Sequence, residues 1–218
     1  MKRFLSRLSG LLTPGVRVLL VVLTVSYLVA VIGSVLRVYD LYRWLALDPS
    51  AVWKGCVWQI FTYPLLPEGL MNFIFNMIAI VWLSRQLERD WSQKELWSYC
   101  LLAATGAGVA KILLSSWNGS PLAGTAGIVF GMLAAWLRLF GHEKVVFWSV
   151  WETTILQAGL LMTSIGLLLM LFTAGWVDTL VMFCGGLTGW LYLSVRWKLN
   201  REQPGQIAES QRIRRLEL

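Results

Sequence analysis

The chain has 218 residues, of which 57% are hydrophobic and only 14% charged. Soluble domains carry about a quarter charged residues, so this composition excludes an ordinary soluble domain and points to a single integral-membrane domain. The net charge of +7 matters through where it lies along the chain.

The N-terminal segment, 1–16, carries Lys2, Arg3 and Arg7 ahead of an apolar run from about Val18 to Leu36. A membrane-spanning helix needs about 20 apolar residues, and this run is long enough. No small-x-small cleavage site ends it, so it reads as a retained first helix and not a removed signal. Six spans are expected, at about 17–37, 69–87, 96–115, 124–141, 153–173 and 177–196, within a membrane domain of 17–198. The expected fold is therefore an all-α, six-helix bundle. Residues 38–68 form a long amphipathic first outer loop with Leu41, Tyr42, Trp44, Leu45, Val52, Trp53 and Trp58. So apolar a loop is expected to lie in the outer leaflet or against the bundle. The thirteen tryptophans suit membrane–water interfaces, with Trp148 and Trp151 as anchors before the fifth span. The tail, 199–218, is basic, and its Arg212, Arg214 and Arg215 are placed to meet anionic lipid or solvent.

Orientation follows from Lys and Arg, which accumulate on the cytoplasmic side. One set of flanks holds Lys2, Arg3, Arg7, Arg17, Arg85, Arg89, Lys94, Arg138, Lys144, Arg196, Lys198 and Arg201 together with the tail. The opposite flanks hold Arg37, Arg43 and Lys54. Both termini are then cytoplasmic, in a bacterial cytoplasmic (inner) membrane. Lys111, late in the third span, is expected to snorkel outward.

Groups able to do chemistry are sparse. Cys56, Cys100 and Cys184 have unrelated spacings and imply no disulfide or metal framework. Glu152 is expected at the cytoplasmic start of span five, and Asp178 at the outer start of span six as a helix cap. Asn72 and Asn76 share one face of span two, either as a polar helix–helix contact or as part of a polar site. Gly124, Gly127 and Gly131 on span four, and Gly185, Gly186 and Gly189 on span six, allow close helix packing, so these two spans are expected to touch. The lone His142 lies in a cytoplasmic connection, out of reach of a mid-membrane hydroxyl. A Ser–Lys pair between Lys111 and Ser115, Ser116 or Ser120 is conceivable, but no feature positions it. Phosphate-binding, dinucleotide and HExxH motifs are absent. No metal, small-molecule cofactor or nucleic acid is expected.

Several stretches, in order, resemble the rhomboid intramembrane proteases: TrpGlnIlePheThrTyr at 58–63, GlyLeuMetAsnPheIlePheAsnMet at 69–77, ArgGlnLeuGlu at 85–88, GlyThrAlaGlyIleValPheGly at 124–131 and MetPheCysGlyGly at 182–186. The resemblance covers roughly 50–195 and implies a short, irregular six-span bundle. It also implies a serine nucleophile on span four, a histidine base on span six, and an oxyanion-holding His and Asn on span two. At those positions this chain has Ala126, Phe183, Asn72 and Asn76, and only Asn76 is retained. A hydroxyl nucleophile needs an adjacent base, and both members are replaced. A single Ser→Ala trap would keep its histidine, so Phe183 marks the losses as native.

The expectation is a pseudoprotease that binds membrane-protein clients without cleaving them. Its partners are then membrane lipids and the transmembrane segments of other proteins. A structural subunit of a larger membrane complex is the alternative. A serine endopeptidase follows from family membership alone. An enzyme using Lys111, Glu152 or Asp178 is disfavoured because their expected depths differ.

Overall fold

The structure is a computed structural model that describes residues 14–35, 40–66, 69–88, 90–115, 120–141, 144–147, 151–154 and 176–201, together with 156, 157, 159–161, 163, 164, 166 and 168. Most of the N-terminal segment and of the basic tail, and with them His142, Trp148 and Ser116, lie outside these residues.

In chain order, helix α1 spans Pro14–Val35, and the first loop then forms three short helices: α2 (Asp40–Leu45), α3 (Pro49–Trp53) and α4 (Gln59–Thr62). A 3₁₀ turn at Tyr63–Leu65 leads to α5 (Leu70–Leu87) and α6 (Gln93–Leu114), followed by α7 (Ala126–Phe140). Strands β1 (Lys144–Phe147) and β2 (Trp151–Thr154) precede α8 (Trp176–Arg201). The positions described between 156 and 168 are helical, where the fifth span is expected.

Helices α1, α5, α6 and α8 are long and apolar enough to cross a membrane, whereas α7 has only 15 residues. At 1.5 Å per residue, α7 is about 22 Å long, shorter than a hydrocarbon core of about 30 Å. The all-α expectation needs one amendment. Residues 144–147 and 151–154 pair as antiparallel strands, with Val146 opposite Glu152. The cause is local: Val145, Val146, Phe147, Thr153 and Thr154 are β-branched or aromatic residues that favour extended backbone. Glu152 and Trp151 therefore belong to a strand, not to the start of span five.

Local signals account for the helix starts. Ser92 and Glu95 form a reciprocal capping box at α6, in which Ser92 N donates to Glu95 Oε2 at 2.8 Å. Asp48 caps α3 by accepting from Ser50 N at 2.9 Å, with Pro49 in the first turn. The bundle centre is the trio α6, α7 and α8, which pack on one another, while α5 packs on α7. One core cluster joins Ile80, Leu83 and Leu87 of α5 with Leu96, Tyr99 and Cys100 of α6 and Met132, Ala135 and Trp136 of α7.

The first loop is not a solvated connection. Trp58 Nε1 donates to Trp44 O at 3.0 Å, Gln59 Nε2 to Arg43 O at 3.0 Å, and Thr62 Oγ1 to Leu45 O at 2.9 Å. Gln59 Oε1 also accepts from Asp48 N at 3.0 Å. The stretch 58–62 thus ties the loop's later helix to its earlier ones. Its outward face is apolar, with Trp44 and Trp53 about three-fifths exposed, as expected of a segment lying at a membrane surface.

Candidate functional site

The entrance to α7 is held from two sides. Leu47 and Leu122 exchange backbone hydrogen bonds of 2.9 Å in both directions, and Gly124 N donates to Tyr63 O at 3.1 Å. Gly124 has φ +103°, a left-handed conformation open to glycine, so it belongs to this turn and not to the helix. The expectation that Gly124, Gly127 and Gly131 lie together on span four is corrected at its first member. Thr125 sits at the N-cap without a side-chain capping bond, and Ala126 is the first helical residue.

Gly127 and Gly131 mark close approaches. A Cβ on Gly127 would lie 3.0 Å from Ala107 Cβ and 3.3 Å from Tyr63 Oη. One on Gly131 would overlap Ala103 Cβ. From α8, a Cβ on Gly185 would lie 3.2 Å from Gly127 O and 3.3 Å from Ala103 O. One on Gly186 would meet Phe130 O at 3.3 Å, and one on Gly189 would overlap the Tyr99 hydroxyl. Spans four and six do touch, and span three completes the seam.

Two buried tyrosines hold this seam, and the sequence reading missed both. Tyr63 Oη donates to Ala104 O, and Tyr99 Oη to Gly131 O, each at 2.7 Å. The Thr-Tyr of 62–63 carried a signal for the first. For Tyr99 no pattern did, because its partner is the carbonyl of a glycine 32 residues away.

Lys111 does not snorkel. It is 1% exposed, and its Nζ pairs with Asp178 of α8. Asp178 is therefore an ion-pair partner as well as an acid in the first turn of its helix. A buried cation is tolerated when a carboxylate compensates it, and this pairing replaces outward snorkelling. A second ion pair, Glu95 with Arg196, joins the other ends of the antiparallel α6 and α8. With its nitrogen committed to a carboxylate, Lys111 is not disposed as a base for Ser115, whose Oγ is buried with no hydrogen-bond partner.

The positions singled out by the resemblance fall in different surroundings. Ala126 is 5% exposed and shares a core cluster with Leu47, Tyr63, Ala107, Leu122, Val181 and Met182. Phe183 is 50% exposed and lines a groove of about 260 Å³ beside α7, Leu160 and Thr163. The side chain buried against the Ala126 cluster is thus Met182, and the Phe183 ring does not fill the interior there. Asn72 is exposed, whereas Asn76 is half-buried. Asn76 lines a crevice of about 10 Å³ with Gly124, Thr125, Phe73, Pro64, Leu65, Leu66 and Leu23. That is space for about one water molecule. The structure brings Asn76 to the 124–125 turn but places neither Asn72 nor Phe183 on that crevice. Among the described residues, no cluster of His, Cys, Asp or Glu has the makings of a metal site.

Residues 54–199 match the family described as Rhomboid domain, over most of the chain. The chain belongs to the rhomboid family. Its helices and this membership make it an integral membrane protein with a rhomboid-type helical bundle. It is also similar to RHOMBOID-like protein 5 of Arabidopsis thaliana, at 24% identity over 147 residues. That match takes in 66% of this chain and spans less than half, 45%, of the relative's length.

Proposed function

We propose that this rhomboid has no peptidase activity and binds transmembrane segments of other membrane proteins without cleaving them. The observation that carries the reading is chemical. Ala126 offers a methyl group where the family resemblance places the nucleophile, and Phe183 a phenyl ring where it places the base. Acyl transfer by a hydroxyl requires a positioned proton acceptor. Among the described residues that line it, the crevice beside the 124–125 turn has one hydroxyl, Thr125, and one amide, Asn76, and no acid, imidazole or amine. A peptide carbonyl there would meet an amide and a hydroxyl with no base beside it among the described residues.

The binding half of the proposal rests on α5. Met71, Phe75, Ile78 and Trp82 recur at helical spacing and are 67%, 67%, 61% and 47% exposed. Four large apolar side chains on one face match the side of another membrane helix, where association proceeds through packing and not through water exclusion. Both termini are assigned to the cytoplasm of a bacterial inner membrane, on the Lys and Arg asymmetry.

Photo-crosslinking amino acids at Phe75 and Ile78, with Val21 and Val25 of α1 as controls, test the reading in native membranes. The expected result is crosslinks from α5 to identified, full-length membrane proteins, with few from α1. One invariant partner at fixed stoichiometry would favour the structural-subunit alternative. Crosslinked partners truncated within their membrane segment would point to the endopeptidase alternative and overturn the proposal.

A further inference from the structure

We propose that the groove between α7, α8 and the helical residues Leu160 and Thr163 holds one acyl chain of an anionic phospholipid, whose phosphate is bound by Arg138. The groove, about 260 Å³, runs along the parallel pair α7 and α8. On α8 it is lined by Phe183, Leu187 and Trp190, and on α7 by Phe130, Ala134 and Leu137. Residues 183 and 190 are two turns apart, about 10 Å along the axis. Leu160 and Thr163 form the third wall. The Thr163 hydroxyl donates to Gly159 O at 2.7 Å, so its hydrogen bond is made within its own helix. The described lining is thus apolar apart from the Trp190 indole N–H and suits a hydrocarbon.

Calibre selects the hydrocarbon. Two turns of an α-helix, about 10 Å long and 10–12 Å across with side chains, exceed the volume of a groove of about 260 Å³. A single acyl chain fits. This separates the groove from the α5 face, which is open and helix-sized.

Charge selects the headgroup. Arg138 follows Leu137 in the last turn of α7, and its guanidinium carbon lies 4.8 Å from the centre of the Trp190 ring. That ring is part of the groove wall, so a cation stands at one end of an apolar channel. Arg138 belongs to neither the Lys111–Asp178 nor the Glu95–Arg196 ion pair. The contrast with Arg196 is informative: that guanidinium is satisfied by a carboxylate, whereas Arg138 rests on an indole and keeps its donors for an outside anion. Guanidinium donors match phosphate oxygens in pairs.

The test is native mass spectrometry of the full chain in mild detergent, titrated with phosphatidylglycerol or with phosphatidylcholine of the same chains. Tighter binding of one phosphatidylglycerol is expected, by about fivefold, the value of one basic residue at an anionic surface. Arg138→Gln should remove that preference and leave the residual binding equal for both lipids, and Arg138→Lys should retain part of it. Arg85→Gln, an exposed arginine away from the groove, should change nothing. Ala134→Phe and, separately, Leu187→Trp should block both lipids, each checked by monodispersity and helical content. Glycerophosphoglycerol, which has the headgroup but no chains, should not compete. Equal affinity for the two lipids in the unaltered protein, an undiminished preference in Arg138→Gln, or competition by the chainless headgroup would overturn the proposal. So would an unaffected lipid titration in folded Ala134→Phe whose groove has instead lost affinity for a transmembrane peptide.

Discussion

The α6–α7–α8 seam and the outward face that α7 and α8 turn toward Leu160 and Thr163 are built on opposite terms. In the seam, Gly127, Gly131, Gly185 and Gly189 bring backbones and small side chains into contact, two tyrosines bond to carbonyls, and a buried ion pair closes one end. On the outward face the same helices leave an apolar groove. Ala126 belongs to the first region and Phe183 to the second. The difference teaches that the two positions do separate things. Ala126 sits in a closely packed core cluster, while Phe183 adds apolar surface to the groove. The interactions that hold the seam involve neither side chain.

If that contrast is right, variants should sort by region. The largest effect is expected for Lys111→Met, which leaves Asp178 without its partner among packed helices. Stranding one member of a buried pair costs about 3–5 kcal/mol, measured as a shift of the unfolding midpoint in detergent. Adding Asp178→Leu to Lys111→Met should recover most of that loss, since a well-packed apolar pair is often as stable as the ion pair. A midpoint unmoved by Lys111→Met would break the comparison at its strongest point.

Next in size is Gly131→Val. Even the first added carbon would overlap Ala103 Cβ, so the helices must move apart, at about 1–3 kcal/mol for overpacking. Tyr99→Phe removes a single hydroxyl and should cost about 1 kcal/mol. It leaves Gly131 O without the Tyr99 donor, and crosslinking between cysteines placed on α6 and α7 should report the looser seam. The smallest effect belongs to Phe183→Ala, below about 1 kcal/mol, because a half-exposed ring exchanges protein contacts for lipid contacts of similar quality. If Phe183→Ala were as damaging as Gly131→Val, position 183 would belong to the interior after all.

Much of this was legible in the sequence. Apolar length placed α1, α5, α6 and α8 to within a few residues, and the spaced glycines of 127–131 and 185–189 announced close packing. The loop's packing was readable from its aromatic content. Three features were hidden for physical reasons. Lys111 and Asp178 are 67 residues apart, and a lone lysine near a helix end gives no sign of its partner. Gly124 continues the helical glycine spacing yet takes a left-handed turn, because the tether to Tyr63 O arises only once the loop has folded. The direction of Phe183 depends on helix rotation, which a motif match does not supply, and the rotation buries Met182 instead. The pairing of strands 144–147 and 151–154 was hidden by a composition that suits helix and strand alike.

The central claim is that a rhomboid scaffold persists here without rhomboid chemistry. Its most direct test is a cleavage assay in proteoliposomes. The unaltered protein is reconstituted with a model transmembrane substrate, and fragments are followed by mass spectrometry alongside Thr125→Ala and Lys111→Ala. The account predicts no fragment above a protein-free control in any of the three. Site-specific cleavage within the membrane segment by the unaltered protein, lost in either variant or retained in both, would contradict it.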